Sequence, residues 1–302
     1  MNYKKLKKMK TMKFFFLCML MILPVTMLAQ DDEDDYNEEE DSYEQVTYAR
    51  KKGFMFGLNI GLLIPNNEPA QFYNGTAPND ITPYLTNTNS NSYQEITEFI
   101  GGYDFVRDQT FLPIMNYSNG VNFGFNTRYQ FDWHNAVVAD LNYSQLTATG
   151  VMRLISAEEP GDGSTQDIIK FLDMYGKEQR LMISLGYQAT LSEPSAMGFI
   201  FEVGPMITSV KVVRNAFVVG DREFNILRSR TLVGNQFAND RQQTVNDFGA
   251  YTAIGTNIEF DKFTVDAMFR ASYERIQFDK EIEAKYKLNF LPQLRFTYRI
   301  IK

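Results

Sequence analysis

The sequence predicts an all-β protein that folds as an antiparallel up-and-down transmembrane β-barrel of about eight strands, with short helices in its long outer loops. Three observations support this prediction. The chain begins with an export signal, no second long apolar run follows, and eight segments alternate between apolar and polar residues. Membrane-spanning strands need about 9–11 residues, with apolar side chains toward lipid and polar ones toward the lumen.

Residues 1–29 have the three parts of a secretory signal peptide. Six lysines between Lys4 and Lys13 precede an apolar run from Phe14 to about Leu23, and cleavage is expected after Ala29. The run is shorter than the roughly 20 residues of a spanning helix, so a single membrane anchor is the less favoured interpretation. The only cysteine, Cys18, lies inside this run, so the mature chain has no thiolate for a disulfide or a metal.

Residues 30–52 form an acidic segment that is expected to be disordered and to lie in the periplasm. Ten acidic residues stand between Asp31 and Glu44, and such a run cannot bury itself. Because residues 1–29 carry six lysines and no acid, their removal changes the formal charge from −7 to −13. A nucleic-acid partner would require a basic face, which this sequence does not provide.

Residues 53–302 contain the predicted barrel. In the second segment Val121, Phe123 and Phe125 alternate with Asn122, Gly124 and Asn126, as expected for a strand, where successive side chains point to opposite faces. Pro205, within the fifth segment, is expected to mark a β-bulge. The eight segments are Gly53–Ile64, Gly120–Phe131, Ala136–Leu146, Gln179–Leu191, Gly198–Val210, Asp247–Phe260, Phe263–Arg275 and Lys287–Ile300.

The connections between the segments alternate in length. Those after the second, fourth and sixth segments are short, whereas those after the first, third and fifth have about 55, 32 and 36 residues. Outer-membrane barrels combine short periplasmic turns with longer external loops. This rhythm favours an outer-membrane location over a soluble exported β-protein, and an even number of strands places both chain ends in the periplasm.

Aromatic residues are expected to form a girdle at the inner membrane interface, near the short turns. The alternative is the ordinary enrichment of aromatic residues in strands. The predicted girdle consists of Phe54, Phe131, Trp133, Phe199, Phe260, Phe263 and Tyr298.

Charged residues with inward parity are expected to form a network in the lumen. An eight-stranded barrel is just wide enough for its own side chains, and buried charges must be paired. A salt-bridged plug is therefore favoured over a polar path for ions. The predicted network consists of Arg128, Asp140, Glu202, Glu259, Asp266, Arg270, Glu274, Arg295 and Arg299.

Two of the long loops are expected to contain short helices. In the first loop, Pro65–Asn119, Ser92 and Glu95 resemble a capping box before Ile96, Phe99 and Ile100, and Gly101–Gly102 would end the helix. In the second loop Ser164 would cap a helix whose apolar side is formed by Ile168, Ile169, Leu172 and Tyr175, ending at Gly176. Such helices would cover the barrel mouth or dock a partner.

The sequence shows no convincing catalytic, metal or cofactor site, so no enzymatic activity is expected. Barrel hydrolases and acyltransferases generally need a histidine, and the only one, His134, falls in a short turn beside Trp133. Asp162, Ser164 and Asp167 lack the spacing of a calcium-binding loop.

The chain resembles the PorT-like outer-membrane β-barrel proteins of Bacteroidota. The residues that carry the resemblance are LAQ at Leu28–Gln30, GFMFGLNIG at Gly53–Gly61, GVNFGFNTRYQF at Gly120–Phe131 and QLRFTYRI at Gln293–Ile300. The resemblance implies an integral outer-membrane barrel, and it implies a link to protein secretion, because some members serve a secretion and gliding apparatus. It transfers no catalytic residues. The longer first loop and the acidic segment depart from the family pattern.

The sequence leaves three hypotheses for the function of the chain. The leading hypothesis is a non-enzymatic structural or accessory component of the envelope, in contact with outer-membrane lipids and with other envelope or secretion proteins. The second is a small porin or ligand-binding barrel, and the third is a lipid-modifying barrel enzyme that would depend on His134.

Overall fold

The computed structural model describes residues 52–76, 79–158, 167–192, 197–226, 244–260, 262–278 and 284–300. The predicted signal peptide and almost all of the acidic segment lie outside these residues. Within them, eight strands build the main sheet: β1 (Gly53–Leu63), β2 (Gly120–Gln130), β3 (Asn135–Ser156), β4 (Ile168–Thr190), β5 (Met197–Val219), β6 (Thr244–Glu259), β7 (Phe263–Glu274) and β8 (Lys287–Arg299). The predicted fold class is confirmed.

The sheet is a closed, antiparallel barrel in which each strand pairs with its neighbours in sequence and β8 pairs with β1. The pairing is staggered. Starting at Thr190 on β4 and stepping once around the barrel through hydrogen-bonded partners returns to β4 at Arg180, ten residues away. Such a stagger requires the strands to tilt against the barrel axis, and closure leaves the barrel without an edge strand. The partners along this path are Ile200, Gly255, Met268, Gln293, Gly61, Asn122 and Ser144.

The two ends of the barrel differ. At the turn end, residues 131–134 join β2 to β3 in a tight turn. There Asp132 Oδ1 accepts hydrogen bonds from the backbone N–H groups of His134 and Asn135, both at 2.8 Å. Hydrogen bonds from Asn135 to this carboxylate lower the pKa of Asp132. At the loop end, residues 64–119 join β1 to β2.

Strands β3, β4 and β5 are 22, 23 and 23 residues long, about twice the length of β1 and β2. The predicted helix at Ile168–Gly176 is wrong, because these residues form the first part of β4; Ser164 lies outside the described residues. Asp173 pairs with Val151 on β3 and with Val218 on β5. The spacing of the apolar residues fits a helix, but pairing on both sides satisfies the backbone as a strand and overrides that local preference.

The β-bulge of β5 lies at Val213 rather than at Pro205. Pro205 keeps its register opposite Ala250, whereas the register shifts where Lys177 pairs with Arg214 and Glu178 pairs with Val212. A bulge adds one residue to one strand, so the parity of the side chains changes beyond it. Inward positions on β5 are therefore even-numbered up to Val212 and odd-numbered afterwards, as the burial of Phe217 and Val219 shows.

The first long loop folds back over the loop end as a cap, which we define as residues 64–117. It contains a short 3-10 helix, Pro69–Tyr73, and the α-helices Thr82–Thr86 and Asn91–Phe99. The last confirms the predicted helix, but the capping residue is Ser90 rather than Ser92. Short strands Phe105–Arg107 and Asn116–Tyr117 continue the sheet beside β3.

The cap packs against the inward face of the extended strands. Ile81, Ile96 and Ile100 of the cap are almost fully buried in one apolar cluster with residues of β3, β4 and β5. The hydrophobic effect therefore holds the cap down. The strand residues of this cluster are Ala148, Met152, Leu154, Leu172, Met174, Val212, Phe217 and Val219.

Candidate functional site: the barrel lumen

Arg295 on β8 lies at the centre of an ion-pair network inside the barrel. Its Nη2 atom is 3.1 Å from Asp140 Oδ2, and its Nη1 atom contacts Glu202 and lies 3.6 Å from Asp266 Oδ2. All four side chains are at most 1% exposed. Three carboxylates thus share one guanidinium as their common partner, in an environment where an unpaired charge is costly.

Two further arginines balance these carboxylates. Arg270 Nη1 lies 3.4 Å from Asp140 Oδ2, and its guanidinium stacks over the ring of Tyr251 at 3.7 Å from the centroid. Arg128 pairs with Asp266. Neighbouring amides complete the coordination, since Asn59 Nδ2 donates to Asp140 Oδ1 at 3.2 Å. We call the six charged residues of this cluster the central network: Arg128, Asp140, Glu202, Asp266, Arg270 and Arg295.

The structure places all nine sequence-predicted lumen residues inside the barrel, but not in one cluster. Arg299 and Glu259 form a separate ion pair at the turn end. Glu274 lies nearer the loop end, where it accepts hydrogen bonds from Thr208 and, at 2.6 Å, from Asn289 Nδ2.

A second charged layer at the loop end includes two residues that the sequence reasoning missed, Glu178 and Arg180. Both are fully buried, and Arg180 Nε donates to Glu178 Oε1 at 2.7 Å. Arg180 Nη1 also lies 3.9 Å from Glu274 Oε1. Arg180 has the same parity as the inward-facing Ser184 and Gln188, so alternation along β4 was the signal that could have identified it.

Two tyrosines of the cap close this layer from above. The hydroxyls of Tyr73 and Tyr117 both donate to Glu178 Oε2, at 2.8 and 2.7 Å. Burial raises the pKa of both tyrosines, and the charge of Glu178 raises it further, so both remain protonated donors. We call Glu178, Arg180, Glu274, Tyr73 and Tyr117 the upper layer.

A group of buried apolar side chains, which we call the apolar layer, lies between the upper layer and the central network on β4 and β8. On β4, Met182 follows Arg180 and precedes Ser184. On β8, Leu291 stands between Asn289 and Arg295. These side chains belong to one buried cluster that extends around the lumen. Apolar side chains in the path make the passage of a hydrated ion unfavourable. The cluster consists of Leu63, Leu146, Met182, Met206, Tyr251 and Leu291.

Six of the seven predicted girdle residues project from the outer surface near the turn end and are 44–63% exposed. Trp133 is the exception, and its assignment to a lipid-facing girdle is wrong. Its side chain is buried, and its Nε1–H donates to the carbonyl oxygen of Ser192 at 2.9 Å. The indole therefore joins two turns, because a buried N–H needs an acceptor. The six exposed residues are Phe54, Phe131, Phe199, Phe260, Phe263 and Tyr298.

Trp133 provides a direct test of this placement, because it is the only tryptophan of the chain. In bilayers containing lipids with brominated acyl chains, we expect its fluorescence to be weakly quenched, since the ring faces protein. A Trp133→Phe, Phe131→Trp variant moves the fluorophore to an exposed girdle position and should be strongly quenched. Equal quenching of the two proteins would show that Trp133 faces lipid.

His134 is exposed in the turn after β2. No group of three or more His, Cys, Asp or Glu in the described ranges is placed to hold a metal ion. None of the helices in those ranges is long and apolar enough to cross a membrane.

Comparisons with protein-family models and with curated proteins found no match. Similar solved structures include Neisserial surface protein A, with 6% identity, coverage of 82% of this chain and 97% of that chain, and a TM-score of 0.40. The outer membrane protein OprG from Pseudomonas aeruginosa has 9% identity, 84% and 99% coverage, and a TM-score of 0.39. Ail, the attachment invasion locus protein of Yersinia pestis, has 13% identity, 82% and 99% coverage, and a TM-score of 0.32. The fold of this chain is established by its own strand pairing.

Proposed function

We propose that the chain is an integral outer-membrane β-barrel without enzymatic activity and with a closed lumen. It acts as a structural or accessory component of the envelope, through the cap and loops and through the acidic segment. In this orientation the turn end and residues 30–52 face the periplasm, and the cap faces outward, as the short-turn and long-loop pattern of such barrels favours.

The observation that carries the proposal is the reversal of the usual distribution of residues. Phe125 and Phe199 are 65% and 63% exposed on the outer surface, whereas Arg295 is fully buried in the interior. A soluble sandwich or barrel would place its aromatic residues inside. An exterior of Phe, Leu, Ile and Val around a charged interior is stable only where the surrounding solvent is lipid.

The closed lumen supports a structural role over a porin. An ion entering from the loop end would have to displace the two cap tyrosines, cross the upper layer and the apolar layer, and then break ion pairs of the central network. Crossing the upper layer and the central network costs free energy because buried charges there would lose their partners. An interior occupied by the protein's own charged and apolar side chains also supports the structural role over the ligand-binding alternative.

Conductance measurements in planar bilayers test whether the lumen is closed. We expect the purified protein, inserted into planar bilayers, to give no sustained conductance steps. The control for insertion is a shift in gel mobility between unheated and boiled samples, which reports a folded barrel. Regular conductance steps from an inserted, heat-modifiable protein would replace the structural role by that of a small porin.

An accessory role requires a partner, and the family resemblance suggests protein secretion as its context. We expect that mild-detergent purification of the tagged protein from its own outer membrane recovers an envelope protein in constant proportion. Deletion of residues 31–44 and removal of the cap helix Asn91–Phe99 would then show which end binds. Recovery of the barrel alone from this preparation would argue against an accessory role and leave a self-contained barrel.

A further inference from the structure

Along β4 and β5, going toward the loop end, the outer surface changes from apolar to polar and basic about midway along the strands. The outward side chains of β4 run through Tyr187, Leu185, Ile183 and Leu181, and then through Gln179 and Lys177. On the outward face of β5, Ser209 and Lys211 follow Ile207 in the direction of the loop end. Both strands thus carry a polar residue and then a lysine immediately beyond the apolar belt.

The bulge in β5 brings a third cation to the same place. The extra residue of the bulge makes the side chain at position 214 point outward instead of inward. Arg214 therefore lies directly opposite Lys177, while Lys211 lies opposite Gln179. Like charges directly opposite each other in a sheet are destabilising, and diagonal neighbours are within reach of long side chains. The three cations are therefore close together although their mutual repulsion destabilises the sheet.

Acidic residues neutralise this group only in part. Glu223 binds Arg214 through both carboxylate oxygens, at 2.7 and 2.6 Å. Lys177 and Lys211 have no ion-pair partner in the part of the chain that the structure describes, and both are half-buried. Half-buried lysines at the edge of an apolar surface lay their methylene groups along it and extend their ammonium groups toward the polar boundary.

We propose that Lys177, Lys211 and Arg214 form a binding site for the phosphate of a lipid headgroup, at the outer boundary of the membrane. The inference rests on the proposed function, because the proposed location in the outer membrane places this edge of the apolar belt at the lipid headgroups. The lipid's acyl chains would lie along Leu181, Ile183 and Ile207, and its phosphate would take the place of the missing acidic partners. Charge complementarity and the continuity of the apolar surface both specify an amphiphilic anion.

The test uses the full mature chain in zwitterionic detergent and measures, by native mass spectrometry, its affinity for diphosphoryl lipid A. We expect the Lys177→Gln, Lys211→Gln double variant to bind roughly ten- to thirtyfold more weakly than the unchanged protein. The reason is that each of the two lysines contributes a comparable part of the electrostatic attraction to an anionic lipid. The matched control is Lys52→Gln, Lys262→Gln, which removes two exposed lysines at the turn end and should keep full affinity.

Three outcomes would overturn the site. They are equal affinities for the two double variants, equal binding of a phosphate-free lipid of the same chain length, and full displacement of lipid A by inorganic phosphate at low concentration. The last would indicate a site for a free anion. All of these leave the barrel intact, as its heat-modifiable mobility would show. A chain that forms no inserted, heat-modifiable species refutes the proposed function and the lipid site together.

Discussion

Replacing Arg295 by methionine is expected to lower the free energy of unfolding by about 3–5 kcal/mol, because it removes the shared partner of three buried carboxylates. Asp140, Glu202 and Asp266 would then face one another with Arg128 and Arg270 as the remaining cations. The measurement is urea unfolding of the protein folded in phosphatidylcholine vesicles, with the fluorescence of Trp133 as the signal.

The control for Arg295→Met is Arg222→Met, which breaks an ion pair with Glu95 whose arginine is 62% exposed. Exposed pairs contribute little, so this change should cost at most about 1 kcal/mol. If Arg295→Met does not fold at all, adding Glu202→Gln should recover folding in part, because it removes one of the unpaired charges. A loss below about 1 kcal/mol for Arg295→Met would mean that water solvates the central network.

Replacing Gly176 by valine is expected to release the cap from the barrel mouth. A β-carbon at this position would lie 2.3 Å from Cγ of the Tyr73 ring, so the ring has to move. Valine suits a strand, and the change therefore acts through this contact rather than through the backbone. Overpacking costs about 1–3 kcal/mol, so we expect backbone amides of residues 91–99 to exchange hydrogen roughly ten- to hundredfold faster.

Exchange in β7 should remain unchanged in Gly176→Val, because none of its residues belongs to the apolar cluster that holds the cap. The companion variant Tyr73→Phe keeps the ring and removes only the hydroxyl bound to Glu178, and it should accelerate exchange by much less. Conductance should stay absent in both variants, since the apolar layer and the central network remain. Unaltered exchange in Gly176→Val would show that the cap does not depend on Tyr73.

Much of the barrel follows from local sequence periodicity. Alternation along each strand assigns a side to every residue, and it was sufficient to place Arg128, Asp140 and Arg295 in the interior and Phe125 on the exterior. The reason is physical: a strand has a period of two, so one apolar face and one polar face specify which side of the sheet each residue takes. The short connections then indicate which strands are paired as hairpins.

Tertiary pairing decided the rest. The apolar residues from Ile168 to Tyr175 satisfy a helical spacing, and only the presence of β3 and β5 on either side makes them a strand. The inward direction of Trp133 depends on the carbonyl of Ser192 in a different turn. Glu178 is buried because the cap returns over it from more than a hundred residues earlier in the chain. The sequence by itself determined the barrel and the sides of its strands, because these depend on neighbouring residues; the cap, the bulge and the upper layer depend on contacts between distant segments, which no local pattern encodes.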